Sequence, residues 1–512
     1  MALLRDDSLV TIDPRSGAEG VALACTAVEQ VAALVAGARA AQVAWAARPL
    51  AERKERVKAL GGAILARAGE LAQALQDELG KPAGEAWTSE LVTAGELFAH
   101  WLDVIDDELA ALPVALNPVN YAGKDVEVRL EPVGVVGMIM PWNYPVHLPL
   151  RTMVPALLAG NAVVWKPSEH AARCGALLGE ILDGVFPAGL VATVQGGASV
   201  GSALVDAGPD HLVFVGSVPT GRAVAARAAA RGVTTGLELG SKDAAIVLHD
   251  ADLQRTARGV AWGAFHNAGQ DCASVERCYV DARVHEAFVA KLVAEAQALR
   301  IGVDLGPLVN ADAVARVVAH VEDAVAKGAT LLCGGTPTGE GYFFPATVLA
   351  GCTSEMRVMQ EETFGPVLAV AAFTTEDEAV AAANASDYGL CVSVWSRDLR
   401  RAEALGLRVD CGVVYVNNCC FTGPMGGAAW TGRRHSGGGV TGSRFALSAL
   451  VRPRTVCVDG AWSSREVWWY PYTGGLERLA RGLVDIGQGG TRALRGVQAV
   501  ASGFLTRWKD ER

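Results

Sequence analysis

Cys272 follows the run Phe265-His266-Asn267-Ala268-Gly269-Gln270-Asp271, whose Ala-Gly-Gln-Asp segment favours a turn, and precedes the strand-like Cys278-Tyr279-Val280. A sulfur at an open backbone turn is well placed for nucleophilic attack. A thiol attacks only as the thiolate, so it needs a helix N-terminus, donor groups or a base beside it. By itself such a cysteine is more often a small buried apolar residue. Glu238, in Glu238-Leu239-Gly240-Ser241-Lys242 before the apolar run Ala244 to Leu248, could act as a general base whose pKa is raised by apolar surroundings. Taken alone it is a turn residue. Asn143, in Pro141-Trp142-Asn143-Tyr144-Pro145, could donate its amide to an oxyanion. The plain alternative is a β-turn, which Asn and Pro both favour.

Two further segments could hold a nucleotide. Phe214-Val215-Gly216-Ser217-Val218-Pro219-Thr220-Gly221-Arg222 ends a strand and opens a helix, so its backbone N–H groups and helix N-terminus could face a phosphate. It is neither GxGxxG nor a P-loop, and an ordinary βα turn would read the same. Trp165-Lys166-Pro167-Ser168-Glu169 follows another strand, where a lysine and a glutamate could grip the two hydroxyls of a ribose. A solvated charged loop is the other reading.

These groups need a scaffold. From Thr26 to Glu108 apolar residues recur at three and four, as in Val57, Leu60 and Ile64, which predicts amphipathic helices. Short apolar runs follow at Val133–Met140, Ala162–Trp165, Ala192–Gln195, Leu212–Val215 and Ala244–Leu248. Helical patterns fill the gaps near Ala171–Val185, Val200–Ala207, Thr220–Arg231 and Leu253–Phe265. Strands alternating with helices indicate a parallel sheet, with a nucleotide at the carboxyl ends of its strands. A second α/β series runs from Tyr279 to about Val416, with helices at Val284–Leu299 and Asp312–Lys327 and strands at Val367–Phe373 and Cys391–Trp395. Val126 to Leu130 alternates like an exposed or edge strand. Val451 to Val458 alternates too, a partner for Val126–Leu130 or for a neighbouring subunit.

Composition narrows the class. At 512 residues the chain exceeds one compact core, so two or three domains are expected. With 51% hydrophobic and 20% charged residues it has an α/β globular composition, and a net charge of −10 without a basic stripe argues against nucleic acid as partner. The 11 cysteines show no CxxC spacing, so neither a disulfide framework nor a metal site is expected. Met1 to Gly20 lacks the basic and apolar regions of a signal peptide, which points to a cytoplasmic protein. The tail from Gly474 to Arg512 has seven basic and four acidic side chains, opposite in sign to the whole. Its glycines should each weaken a helix by roughly 1 kcal/mol relative to alanine, so membrane association is not the expected role and packing within an oligomer is.

Taken in order and spacing, Pro-Trp-Asn-Tyr-Pro, Lys-Pro-Ser-Glu, the Gly-Ser turn, Glu-Leu-Gly-x-Lys, Asn-Ala-Gly-Gln-x-Cys, Glu361-Glu362-Thr363-Phe364-Gly365-Pro366 and Pro424-Met425-Gly426-Gly427 resemble the NAD(P)-dependent aldehyde dehydrogenase superfamily, from about Thr26 to Val458. The resemblance implies an α/β fold with two parallel-sheet α/β domains and a β-arm for oligomerisation. It divides the chain into a cofactor-binding domain (1–114, 134–240 and about 433–449), a catalytic domain (241–432), oligomerisation strands (115–133 and 450–460) and a tail (461–512). It implies oxidation of an aldehyde to the acid through a thiohemiacetal and a thioester, in a homodimer or homotetramer. Cys272 would be the nucleophile and Glu238 the general base, with Asn143 and the Cys272 N–H as oxyanion hole. NAD, with NADP as the variant, would be held by Lys166 and Glu169 at the adenosine ribose, by Gly216, Ser217 and Gly221 near the pyrophosphate, and by Glu362 at the nicotinamide ribose. Trp142, Leu239 and Phe364 would lie along the cofactor.

Three places differ from the family pattern. Ser241 replaces a glycine, the lysine after Gly427 is missing, and the loop between Asn417 and Pro424 is short. Arg151, eight residues beyond Asn143, matches relatives that resemble succinate-semialdehyde and lactaldehyde dehydrogenases. The second arginine of semialdehyde enzymes is His266 here. Arg151 either reads a substrate carboxylate or hydroxyl, or pairs with a neighbouring acid. The other functional readings are a catalytically silent binding or structural protein of this fold, and an enzyme that passes its acyl group to coenzyme A. An intact Cys272, Glu238 and Asn143 count against the former, and Glu238 favours hydrolysis over the latter.

Overall fold

The computed structural model describes residues 3–5, 7–117, 121–461 and 464–507. Parts of the expected oligomerisation strand (118–120) and tail (462–463 and 508–512) lie outside them. The chain forms two compact units, one of 1–110 and 130–453, the other of 111–129 and 454–512.

The first unit holds both large sheets. Its uninterrupted apolar runs become strands buried on both faces, as parallel strands covered by helices must be. Among them are β1 (Val135–Ile139), β2 (Ala162–Lys166) and β4 (His211–Val215), joined in the same sheet by the half-buried β3 (Val191–Thr193) and by β5 (Thr234–Glu238), a largely unburied strand with no apolar run to mark it. They lie parallel in the order β5-β4-β1-β2-β3, and a two-residue antiparallel strand, Gly437–Gly438, is added beside β5. The strand order reverses between β1 and β4, and a crevice opens at such a switch point beyond the carboxyl ends. Pro141-Trp142-Asn143 leaves β1 there, and Gly216-Ser217 leaves β4.

The second sheet contains β6 (Asp243–Val247), β7 (Val275–Asp281), β8 (Thr330–Cys333), β9 (Thr347–Ala350), β10 (Val367–Phe373), β11 (Cys391–Trp395) and β12 (Val413–Val416), in the order β8-β9-β10-β7-β6-β11-β12. All pair in parallel except the edge strand β8. Helix α1 (His147–Ala159) follows β1, α2 (Val218–Ala229) follows β4, and α3 (Leu253–Phe265) leads into the cysteine loop. The helix at Leu253–Phe265 and the strands at Val367–Phe373 and Cys391–Trp395 fall where hydrophobic pattern places them. β2 runs one residue past its apolar run because the Lys166 backbone pairs with Ile139.

In the second unit the alternating segment at Val126–Leu130 is half-exposed and pairs with Val451–Val458, as one reading of the sequence has it, but it is not an edge. Its strand, Lys124–Pro132, is the middle of three, between Leu112–Pro113 and Val451–Asp459. Alternation reports one wet face, not an unpaired side. The tail forms two helices despite its glycines, α4 (Gly474–Gln488) and α5 (Gly490–Thr506). Gly475, Gly482, Gly496 and Gly503 lie where the two helices touch, and a Cβ at any of them would come within 2.4 to 2.8 Å of the opposite helix's backbone. Close packing offsets the intrinsic helix cost of glycine.

Candidate active site

The loop carrying Cys272 begins where α3 stops, and Asn267, Ala268 and Gly269 all have left-handed φ, of 50°, 56° and 69°. Asn tolerates this region and Gly adopts it freely. Gly269 is also required sterically, since a Cβ there would meet the Gly365 carbonyl oxygen at 2.2 Å. Side chains fasten the loop. Asn267 Nδ2 donates to the Gln270 carbonyl at 2.9 Å, Gln270 Nε2 donates to Pro307 O at 3.2 Å, and Gln270 Oε1 accepts from Val309 N at 2.8 Å. Asp271 accepts from Tyr144 Oη at 2.9 Å, His266 Nε2 at 2.7 Å and Ala273 N at 2.8 Å. Both neighbours of Cys272 are therefore tied down while Cys272 itself stays half-buried.

His266 serves this framework. Its ring stacks on Trp262 at 4.7 Å and its Nδ1 reaches the Trp262 carbonyl at 3.0 Å. Burial works against its charged form, but the hydrogen bond and charge of Asp271 outweigh that and lift its pKa to about 9. Burial raises Asp271 as well, and the His266 contact brings it down to about 2. The pair is an imidazolium and a carboxylate.

Cys272, Asn143 and Glu238 line one cavity of about 500 Å³ together with Trp142, Gly216, Ser217, Leu239, Glu362 and Phe364. Asn143 Nδ2 donates to the Gln270 carbonyl at 3.3 Å, which aims the amide across the cysteine loop. Burial holds the Cys272 thiol well above its usual pKa, and the Asp271 and Glu238 charges add to it, so the resting sulfur is a thiol. Burial also raises Glu238, while Arg151 and the Thr441 hydroxyl pull it back down without restoring the ordinary value. Thr441 Oγ1 donates to Glu238 Oε1. A buried carboxylate with a raised pKa that lines the same cavity as a thiol is suited to proton transfer.

Arg151 and His266 do not line this cavity. Arg151 is 3% exposed, lies over the Trp430 ring at 5.3 Å, donates from Nη2 to Thr441 O at 3.4 Å and shares a smaller cavity with Glu238. Its Nε has no hydrogen-bond partner among the described residues.

A second cavity of about 530 Å³ continues past Trp142, Gly216 and Ser217, which line both. Lys166 and Glu169 line it and do not line the first. Lys166 is buried, with Nζ donating to Gly196 O at 2.7 Å, Pro167 O at 2.9 Å and Glu169 at 3.2 Å. The cleft thus offers a cation, a carboxylate and the N-terminus of the 12-residue helix α2. That donor set fits a dinucleotide, with diol chemistry at the cation and carboxylate and phosphate chemistry at a helix start. Gly221 touches neither cavity wall. It lies under Leu239, whose Cδ2 would be 2.3 Å from a Cβ there, so glycine lets helix α2 approach. Phe364, at φ 49°, meets Trp142 edge to face at 5.7 Å. Glu362 accepts from Ser241 N at 2.8 Å, and burial with the charge of Glu276 lifts it to about 7.

Several supporting residues escaped sequence reasoning. Glu276 accepts from Thr363 N at 2.8 Å and Phe364 N at 2.8 Å and is paired with the buried Lys242. It thereby fixes the loop that presents Glu362 and Phe364. Lying four residues after Cys272, it carries no hint of a partner near residue 363. Thr441 lies 203 residues from Glu238, in a glycine-rich loop with no signal of its own. Ser241 gives its hydroxyl to Asp243, whose carboxyl burial raises to about 8.

A cleft fitted to a dinucleotide opens onto a cavity walled by a thiol, an amide and a carboxylate, a set of groups suited to chemistry at a carbonyl. Comparison with known proteins gives the family. The model of the Aldehyde dehydrogenase family matches residues 4–456. The chain is 36% identical over 459 residues to 4,4'-diapolycopene aldehyde oxidase of Methylomonas sp, covering 87% of this chain and 85% of that one. It is 38% identical over 441 residues to a betaine aldehyde dehydrogenase of Cereibacter sphaeroides, covering 83% and 88%. The solved structure of Escherichia coli lactaldehyde dehydrogenase matches with a TM-score of 0.84 at 31% identity, over 89% and 96% of the two chains. The chain belongs to the aldehyde dehydrogenase family, whose NAD(P)-dependent members oxidise aldehydes to carboxylic acids.

Proposed function

We propose that Cys272 Sγ adds to the aldehyde carbon, its proton passing to Glu238, and that the resulting oxyanion is held by Asn143 Nδ2 and the Cys272 N–H. The observation that carries this is the convergence of Cys272, Asn143 and Glu238 on one cavity continuous with the Lys166 and Glu169 cleft. NAD, when bound, supplies the hydride acceptor. Loss of hydride from the thiohemiacetal carbon leaves a thioester on Cys272. Once its proton has gone to solvent, Glu238 takes a proton from water as the water oxygen attacks the thioester carbonyl. The C–S bond breaks and the acid leaves. Hydrolysis is preferred to transfer to coenzyme A because this base is present.

NAD is preferred to NADP, because the Glu169 carboxylate at the ribose accepts hydrogen bonds from a 2′-hydroxyl and repels a 2′-phosphate. Lys166 pairs with Glu169 and orients it. Arg151 acts on Glu238, and its reach to the substrate is secondary, since it is absent from the walls around Cys272. The working form is a homodimer or homotetramer. Cys272→Ala should abolish NADH formation with a generic aldehyde while NAD still quenches tryptophan fluorescence. Appreciable turnover by that variant removes Cys272 from the mechanism.

A further inference from the structure

We propose that the C-terminal helical hairpin is a surface for anionic lipid. α4 and α5 are antiparallel. Gly475 lies against Thr506 and Arg507, Gly482 against Gly496, and Gly503 against Leu479. These glycines define the line along which each helix meets the other. At about 100° per residue, Leu476, Ala480 and Leu483 of α4 lie about 100° round from that line. Leu494, Val497 and Phe504 of α5 lie about 120° round in the same rotational sense. In antiparallel helices, equal senses of rotation from the contact line put both stripes on the same side. The hairpin is therefore a plate with one apolar face, and Arg478, Arg481 and Arg495 belong to the other.

The apolar face is bare along α5 and half-buried at Leu476 and Leu483 of α4. Leu494 is 74% exposed, Val497 56% and Phe504 57%. The segment leading into it exposes Trp468, Trp469, Tyr470 and Tyr472 as well, and such amphipathic rings favour the headgroup level of a bilayer. Among the described residues no helix is long and apolar enough to cross a membrane. The remaining membrane geometry for a 15- and a 17-residue amphipathic helix is to lie in the interface.

Charge selects lipid over a second copy of the chain. From Gly474 to Arg512 the sequence carries seven basic and four acidic side chains, in a chain of net charge −10. Two copies meeting through this face would bring two positive hairpins together. An anionic headgroup layer attracts the hairpin instead, and the basic side chains, one helix diameter above the apolar face, remain within about a Debye length of it.

The test is flotation of the full chain with vesicles of phosphatidylcholine alone or mixed with phosphatidylglycerol. The protein should float with the anionic vesicles, much less with the neutral ones, and less as salt is raised. Leu494→Glu with Phe504→Glu should reduce flotation about tenfold or more, and Phe504→Leu should keep it. Aldehyde oxidation in solution should be unchanged in both, showing the rest of the chain intact. Failure of the wild type to float with anionic vesicles, equal flotation with neutral ones, or equal flotation by the double glutamate variant overturns the proposal. A lower solution mass of that variant without any wild-type flotation assigns the face to a second copy.

Discussion

Arg151→Leu should move the acid limb of the deacylation rate to higher pH. Arg151 is the largest influence holding Glu238 down against burial. Loss of an opposite charge at close range cuts the ionised fraction of a carboxyl, on the acid side of its pKa, about tenfold or more. A Glu238 carboxyl is effective as a base only when ionised. On the acid side the rate should therefore fall about tenfold or more, while the alkaline plateau stays put. The fold should tolerate the change, because the Arg151 Nε has no partner among the described residues and its guanidinium lies on the Trp430 ring, which leucine can also cover. The assay is decay of a preformed acyl-enzyme between about pH 5.5 and 9.5, measured by rapid quench, so that deacylation alone is read. An acid limb that stays in place refutes the coupling to Glu238. If, in addition, the rate ratio of succinic semialdehyde to butanal collapses in Arg151→Leu, the arginine reads the substrate instead.

Glu169→Gln should narrow the ratio of kcat/KM for NAD over NADP by roughly 1 to 3 kcal/mol, or about 5- to 150-fold, since the amide no longer repels a 2′-phosphate. A wild type that already uses both cofactors equally contradicts the role of Glu169. His266→Gln should destabilise in a pH-dependent way. The raised pKa of His266 means that its stabilisation, about 2 to 3 kcal/mol counted once for the pair, is fully present below about pH 6.5 and is lost as pH rises through about 9. The lowered pKa of Asp271 means that its share is present above about pH 3.8 and lost as pH falls through about 2. The Tm gap between wild type and variant should be widest near pH 5 to 6 and close towards pH 10. A gap independent of pH would mean that the ring acts by packing alone.

Much of the scaffold was legible because continuous apolar runs such as Val135–Ile139 and Ala244–Leu248 are buried on both faces and mark parallel strands. The turn residues that close them, Gly216, Gly269 and Asn143, were legible because only a few residue types fit such turns. Partners distant in sequence were not. Nothing in the segment around Thr441 says that its hydroxyl caps Glu238, and Glu276 looks like any strand residue until Thr363 and Phe364 are seen to donate to it. Arg151 was visible as a chemical group, but which way its side chain points from a helix buried on nearly every face depends on the packing of Trp430 and Thr441. The tail defeats propensity because the helix cost of glycine is an isolated-helix quantity, and here each helix has a partner. The spacing of seven between Gly475 and Gly482, and again between Gly496 and Gly503, is the signal that indicates one.

In the proposed mechanism, oxidation proceeds through an acyl group on Cys272 which Glu238 helps water to remove. Glu238→Gln mixed with NAD and an excess of aldehyde, then analysed by intact mass and peptide mapping, tests it directly. One burst of NADH per active site and an acyl adduct on the peptide containing Cys272 are the predicted result. Full wild-type turnover with no adduct, or an adduct on any other residue, would contradict it.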